Sequence, residues 1–302
     1  MKSVRFEVDT EQFPFKSRTV KLRSGATIHF IDEGQGPLLL FLHGNPTWSF
    51  LYRNIVLGLK DGFRCIAPDY PGFGMSIASA GYGFTAAEHA NVMAEFVEAL
   101  DLRDFTIMMQ DWGGPIGFSI ALRHPDRVHG FIIGNTFAWP LERFGQKMFS
   151  GIMGGPIGRT LAWCCNGIVL FFMSRGVATG LDKRALKMYL APFKNRRNRA
   201  PTHIFPRQLR AASPFLAEIY KGMHTLADKP ALIVWGEKDF AFQEPERSRF
   251  EQVFPNHKTI LLTNAGHFIQ EDAPDDIVRA VRGWFAADKG KATDSHPGNI
   301  GS

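Results

Sequence analysis

The stretch that decides the fold is Phe105 to Ala121, FTIMMQDWGGPIGFSIA. A short apolar run, Phe105 to Met109, ends at Gln110-Asp111-Trp112-Gly113-Gly114, and a helix-like pattern follows at once. A strand that turns this sharply into a helix is where many enzymes mount a serine, in the pattern G-x-S-x-G. Here the central position holds Asp111. Gly113 and Gly114 permit the close backbone approach that a strained turn needs. The helix that starts there aims free backbone N–H groups at an anion. Taken alone, Asp111 reads equally well as a helix N-cap.

Working outward, the same alternation recurs. RTVKLRSGATIHFID (residues 18–32) reads as a strand pair turning at Ser24-Gly25. PLLLFL is a continuous apolar run, the mark of a strand buried on both faces, and it ends at His43-Gly44-Asn45-Pro46. FRCIAP, VHGFIIG, ALIVWG and KTILL supply further strands. Helical spacing appears at residues 86–100 and again from Asp276 to Phe285, where Ile277, Val278, Val281, Trp284 and Phe285 share one face. Strands alternating with helices predict an α/β protein with a mostly parallel central sheet. Residues 138–215 interrupt the pattern: they are helical in character, rich in Met, Phe and Trp, and lack a buried strand. The expected organisation is a core of residues 1–137 and 216–287, an inserted helical cap of residues 138–215, and a disordered polar tail, residues 288–302. No internal repeat is visible.

Composition narrows the class. The chain has 302 residues and a formal net charge of +6, from 35 basic and 29 acidic side chains. The densest basic cluster, Lys194 to Arg199, has no interleaved aromatic residues, so nucleic acid is not an expected partner. Cys65, Cys164 and Cys165 form no metal spacing and suit buried thiols in a reducing compartment. The N-terminus has no apolar core of signal-peptide length, and the run Leu161 to Met173 is too short to span a bilayer. A cytoplasmic location with no membrane partner is expected.

The chemistry starts from what could replace a serine nucleophile. Ser76 in GMSIA and Ser119 in GFSIA imitate the serine pattern, but neither follows a strand directly, and packing roles are the plainer reading. Asp111 has partners. NAGHFIQED places His267 in a loop after KTILL, and WGEKDFAF places Asp239 in a loop after ALIVWG. The order nucleophile, acid, histidine, each at the carboxyl end of a strand, is that of α/β-hydrolase triads. Glu237 competes with Asp239 but lies nearer the strand. HGNP adds a fourth element: the backbone N–H groups of Asn45 and Trp112 can form an oxyanion hole. Their side chains, an amide and an indole, supply neutral donors that hold a small anion without neutralising Asp111.

The set HGNPTW, DYPGFGMS, QDWGG, WGEKD and HFIQEDAPD resembles the haloalkane dehalogenases, over residues 15 to 285. The resemblance implies an α/β-hydrolase core with a helical cap. It implies Asp111 as nucleophile, His267 as base, and Asn45 with Trp112 as the halide-stabilising pair. One group of the family carries its acid after the strand preceding the cap. Here that place reads GNTFAWP, with Asn135 and no carboxylate, so the acid falls to Asp239. The sequence is most similar to the group that joins this later acid to an Asn-Trp halide site, a group that tends to self-associate. The implied reaction converts a halogenated hydrophobic substrate and water to alcohol, halide and a proton through an aspartyl ester, with no metal or organic cofactor.

Two other readings stay open. An epoxide hydrolase uses the same fold and nucleophile but needs acidic O–H donors, for which Tyr189 and Tyr220 are available. A non-catalytic binding protein would keep the pocket alone. Phe144, Met148, Phe149, Trp163, Phe171, Phe172 and Met173 are the pool from which pocket walls are expected. Trp139 reads as a cap anchor or as a third halide contact.

Overall fold

Two runs buried along their whole length, Leu38–Leu42 and Phe105–Asp111, need cover on both faces, and the fold supplies it. The computed structural model describes residues 6–294. Its strands are β1 (Arg18–Lys21), β2 (Thr27–Glu33), β3 (Leu38–Leu42), β4 (Arg64–Pro68), β5 (Phe105–Asp111), β6 (Val128–Thr136), β7 (Ala231–Gly236) and β8 (His257–Leu262). They form one sheet in the order β1-β2-β4-β3-β5-β6-β7-β8. The β1–β2 and β2–β4 pairings are antiparallel and the rest are parallel, with Leu38 opposite Phe105 and Asp111 opposite Thr136.

The core helices are α1 (Arg53–Leu59), α2 (Ala86–Ala99) and α3 (Gly113–Arg123). Between β6 and β7 come α4 (Phe144–Met153), α5 (Pro156–Cys165), α6 (Gly167–Gly176), α7 (Lys183–Leu190), α8 (Ala200–Ala211) and α9 (Ser213–Gly222). After β7 follow α10 (Glu244–Val253), α11 (Ile269–Asp272) and α12 (Pro274–Asp294). Successive residues of a strand point to opposite faces. On β6 the Phe131 ring meets Phe118 of α3, while a Cβ at the preceding Gly130 would meet Trp284 of α12. α2 packs with α3 on one face, and α1 packs with α12 on the other. The α/β class and the strand assignments read from the sequence hold.

Two expected boundaries move. α9 spans the junction expected at 215/216 and packs against α3. A Cβ at Gly222 would touch the Leu122 side chain, which shows how closely α9 lies against α3. At the C-terminus, α12 continues to Asp294, beyond the expected end of order at 287, and the remaining tail, 295–302, lies outside the described residues. The cap insertion is otherwise all helix. Asn166 ends α5 and starts α6 in the left-handed conformation (φ 55°), and the two helices bend by 95° there. Asn is among the few residues that tolerate this conformation.

α2 begins with a capping box. The Thr85 hydroxyl accepts the Glu88 N–H, and the Glu88 carboxylate accepts the Thr85 N–H. Replacing Thr85 by Ala is expected to cost about 1 kcal/mol. Chemical denaturation should show a lower midpoint with an unchanged slope, and turnover should stay at the parent level.

Candidate active site

Four loops converge at the carboxyl ends of the parallel strands, where ligands collect in such sheets. β5 ends in Asp111, β3 runs into His43-Gly44-Asn45, β7 into the loop holding Asp239, and β8 into the loop holding His267. Asp111 sits in the left-handed region, at φ 52°. Its neighbours have to be small. A Cβ on Gly113 would stand 2.1 Å from the Leu42 carbonyl oxygen, and one on Gly114 would stand 2.0 Å from Thr136 Oγ1. From the facing loop, a Cβ on Gly44 would lie 2.2 Å from Asp111 Oδ1. Gly44 and Gly113 therefore answer one requirement, the approach of two backbones at one carboxylate, while Gly114 lets the turn pack against Thr136.

His43 braces that approach. Its Nδ1–H donates to the Gly44 carbonyl at 2.9 Å, and its Nε2 accepts the Tyr70 N–H at 3.1 Å. Burial pushes its pKa down to about 4, so the ring is neutral and suited to these two bonds.

The electrostatics centre on Asp111, which is buried. Its Oδ1 accepts the backbone N–H of Asn45 at 2.7 Å, and the backbone N–H of Trp112 favours its charged form. Burial raises its pKa above the ordinary carboxylate value, and His267 with the two N–H groups offsets only part of that. His267 Nε2 stands 3.7 Å from Asp111 Oδ2, longer than a hydrogen bond. The other ring nitrogen, Nδ1, is 2.9 Å from Asp239 Oδ2. Burial works against charging the imidazole. Asp239 first, then Asp111, outweigh it, and the net direction is upward. The exposed Glu237 does not compete for the ring.

Asn45 and Trp112 both line the cavity above Asp111, where the sequence places them. One N–H of the Asn45 side chain donates to the Thr202 carbonyl of α8 at 3.2 Å, which ties the loop to the cap. The indole N–H of Trp112 makes no hydrogen bond among the described residues. The cavity has a volume of about 160 Å³, and Phe149, Phe172, Leu209, Phe240 and Phe242 give it apolar walls.

Two polar residues matter here to which the sequence assigned no role. Gln110 Nε2 donates to the His267 carbonyl at 3.1 Å and lies 2.9 Å from His267 Nε2. That contact suits the tautomer with the proton on Nδ1, facing Asp239, and the lone pair on Nε2. Asn135 Nδ2 donates to Asp239 Oδ2 at 2.9 Å and to the Gly236 carbonyl at 3.0 Å, while its Oδ1 accepts the Gly236 N–H at 2.7 Å. The signal that could have found both is a polar side chain at the end of a fully buried strand, which must meet a partner there.

Other candidates lie elsewhere. Ser76 bonds the Asp69 carbonyl and the His29 N–H, and Ser119 is packed inside α3. Trp139 lies against Phe250, Tyr220 and Arg249, not on the cavity. Tyr189 bonds Glu271, and Tyr220 is on the surface; neither lines the cavity. Of the cap pool, Phe149 and Phe172 line it, whereas Phe144, Met148 and Trp163 are exposed. Among the described residues, no group of three or more His, Cys, Asp or Glu could hold a metal ion.

Comparison with known proteins decides the family. The model of the alpha/beta hydrolase fold matches residues 37–149 and 153–274. Haloalkane dehalogenase 2 of Mycobacterium tuberculosis is 42% identical over 285 residues, covering 92% of this chain and 98% of that protein. The chain belongs to the haloalkane dehalogenase family of α/β-hydrolase proteins. The haloalkane dehalogenase DatA from Agrobacterium tumefaciens superposes with a TM-score of 0.82 at 25% identity, covering 90% of this chain and 96% of that one. A cis-3-alkyl-4-alkyloxetan-2-one decarboxylase of Shewanella oneidensis is 29% identical, covering 94% of this chain and 92% of that protein. Dehalogenase relatives thus bracket this chain in sequence and in fold.

Two measurements check the electrostatics. Removing the Asp111 charge in Asp111→Ala deletes one influence that raises the His267 pKa, so the ring should titrate at lower pH than in the parent, read by imidazole NMR. Asn135→Leu deprives the Asp239 carboxylate of a donor and should destabilise the fold by roughly 2 kcal/mol. Its turnover should fall more than its substrate binding, as kcat against KM would show.

Proposed function

We propose that the protein hydrolyses carbon–halogen bonds of small hydrophobic haloalkanes, with Asp111, His267 and Asp239 as the triad. The observation that carries this reading is a buried carboxylate, with no lysine or arginine paired to it among the described residues, opening onto an apolar cavity that also holds the Trp112 indole and the Asn45 amide. A halogenated sp³ carbon offers no carbonyl for a serine to attack. A carboxylate displaces the halide in line, and the product is an ester that water can open.

Oδ1 of Asp111 is engaged by the Asn45 backbone N–H, so Oδ2 is the attacking atom. It bonds to the substrate carbon as the carbon–halogen pair leaves with the halide, which the side chains of Asn45 and Trp112 stabilise. His267 Nε2 then takes a proton from water, and the hydroxide attacks the Asp111 carbonyl carbon. The oxyanion on Oδ1 is held by the backbone N–H groups of Asn45 and Trp112. Asp239 orients the ring and stabilises its charge. Collapse of the tetrahedral state releases the alcohol and restores Asp111, and the proton leaves His267. Gln110 releases Nε2 as the ring accepts the proton, because two N–H groups cannot face each other. No metal or organic cofactor enters this scheme.

Epoxide hydrolysis is the less favoured reading, since neither Tyr189 nor Tyr220 lines the cavity to protonate a ring oxygen. The proposal keeps the cytoplasmic assignment; Cys65 is a buried thiol as the sequence suggests, whereas Cys164 and Cys165 are exposed on α5 and correct that expectation. It also keeps self-association, to be read by sedimentation.

Halide and proton release from brominated alkanes tests the reaction. Asp111→Ala should abolish it. His267→Phe should release one halide per site and accumulate an ester mass on the Asp111 peptide; steady turnover in that variant would sink the role given to His267. A β-lactone beside the haloalkanes completes the panel. Carbon dioxide from the lactone with no halide from any alkane would move the assignment to the decarboxylase activity named for the Shewanella relative.

A further inference from the structure

The cap carries an apolar face that the cavity does not consume. Of the ten exposed large hydrophobic residues among those described, eight lie on α4, α5 and α6. Phe144 is 81% exposed, Ile157 60%, Met148 53% and Trp163 51%. Single exposed apolar residues need no explanation, but a cluster on three consecutive helices does. α4 packs on α5, and α5 meets α6 at the Asn166 bend, so the residues belong to one part of the surface. The face is also continuous with the cavity wall. The exposed Phe171 ring contacts Phe149 at 6.4 Å, Phe240 at 6.3 Å and Phe172 at 5.5 Å, and all three line the cavity.

Charge says what covers it. From Phe144 to Ala211 the chain carries twelve lysines and arginines and a single acidic residue, Asp182. Lys147, Arg159, Arg175, Arg207 and Arg210 are exposed and make no ion pair among the described residues. A second copy of the same face would bring cations against cations. An anionic lipid surface meets both features at once, with phosphates for the basic side chains and an acyl boundary for the aromatic ones.

We propose that this face of the cap docks on the surface of an anionic bilayer, with Phe144, Ile157 and Trp163 entering the headgroup region and Lys147, Arg159 and Arg175 meeting lipid phosphates. The expectation of no membrane partner rested on the lack of a spanning run, and among the described residues no single helix is long and apolar enough to cross a membrane. Docking parallel to the surface needs no such helix. The proposal is read by binding and not by turnover, so it stands or falls separately from the dehalogenase reading.

The test is flotation of the full chain with vesicles of phosphatidylcholine alone or mixed with phosphatidylglycerol. Binding is expected only with the mixed vesicles and should weaken as salt rises. A polarity-sensitive thiol dye on the exposed Cys164 and Cys165, next to Trp163, should shift to the blue on binding, whereas the buried Cys65 stays unlabelled. Phe144→Ser with Trp163→Ser, and separately Lys147→Glu with Arg159→Glu, should each lower apparent vesicle affinity on the order of tenfold or more while leaving the fold intact by circular dichroism. Absence of binding, equal binding to both vesicles, or binding untouched by either variant would overturn the proposal. A concentration-dependent dimer that Phe144→Ser dissolves, without vesicle binding, would overturn it in favour of a second copy.

Discussion

Burying the Asp111 carboxylate beside a histidine, with no lysine or arginine paired to it among the described residues, sets the terms for the rest of the structure. A lone buried carboxylate is costly, and ion pairing would be the simple remedy. Pairing would also remove its nucleophilicity. The fold answers instead with backbone dipoles, the N–H groups of Asn45 and Trp112, which steady the charge without a counter-ion. That answer requires two chain segments to meet at one side chain, which is why Gly44 and Gly113 leave no room for a Cβ. It also requires the strand order that lays β3 directly against β5.

The same logic runs outward through the histidine. His267 is buried and polarised by Asp239, and Asp239 in turn is fixed by Asn135 and by the Ala241 N–H at 2.7 Å. Asn135 sits at the end of β6, the place where a related group carries its acid. Here an amide at that place supports an acid arriving from β7. Asn135 and His267 thus share one carboxylate oxygen, Asp239 Oδ2. Gln110 completes the frame from the other side by occupying Nε2 with a donor, which favours the neutral, basic tautomer.

The cap is less constrained by this chemistry. Phe149 and Phe172 turn inward to wall the cavity, while neighbours on the same helices face out. A helix presents all its faces, and a sequence rich in aromatic residues does not say which one is turned to the pocket. Of the inward set, Phe172 meets Phe240 of the core at 6.3 Å. The outward set remains as a cationic, apolar surface.

The sequence by itself determined the α/β alternation, because strand burial and helix amphipathicity are periodic along the chain. It also singled out Asp111, His267 and Asp239, because each follows a strand whose carboxyl end faces the same edge of the sheet, and the structure brings the three side chains together. Tertiary structure decided the rest. Nothing local says that Gln110 reaches His267 or that Asn135 reaches Asp239, since these contacts join residues 157 and 104 positions apart. Nor does a local pattern show that Trp139 packs on Phe250 instead of entering the cavity, or that α9 packs on α3. Periodicity reports which side of an element is buried; only the packed chain reports what it is buried against.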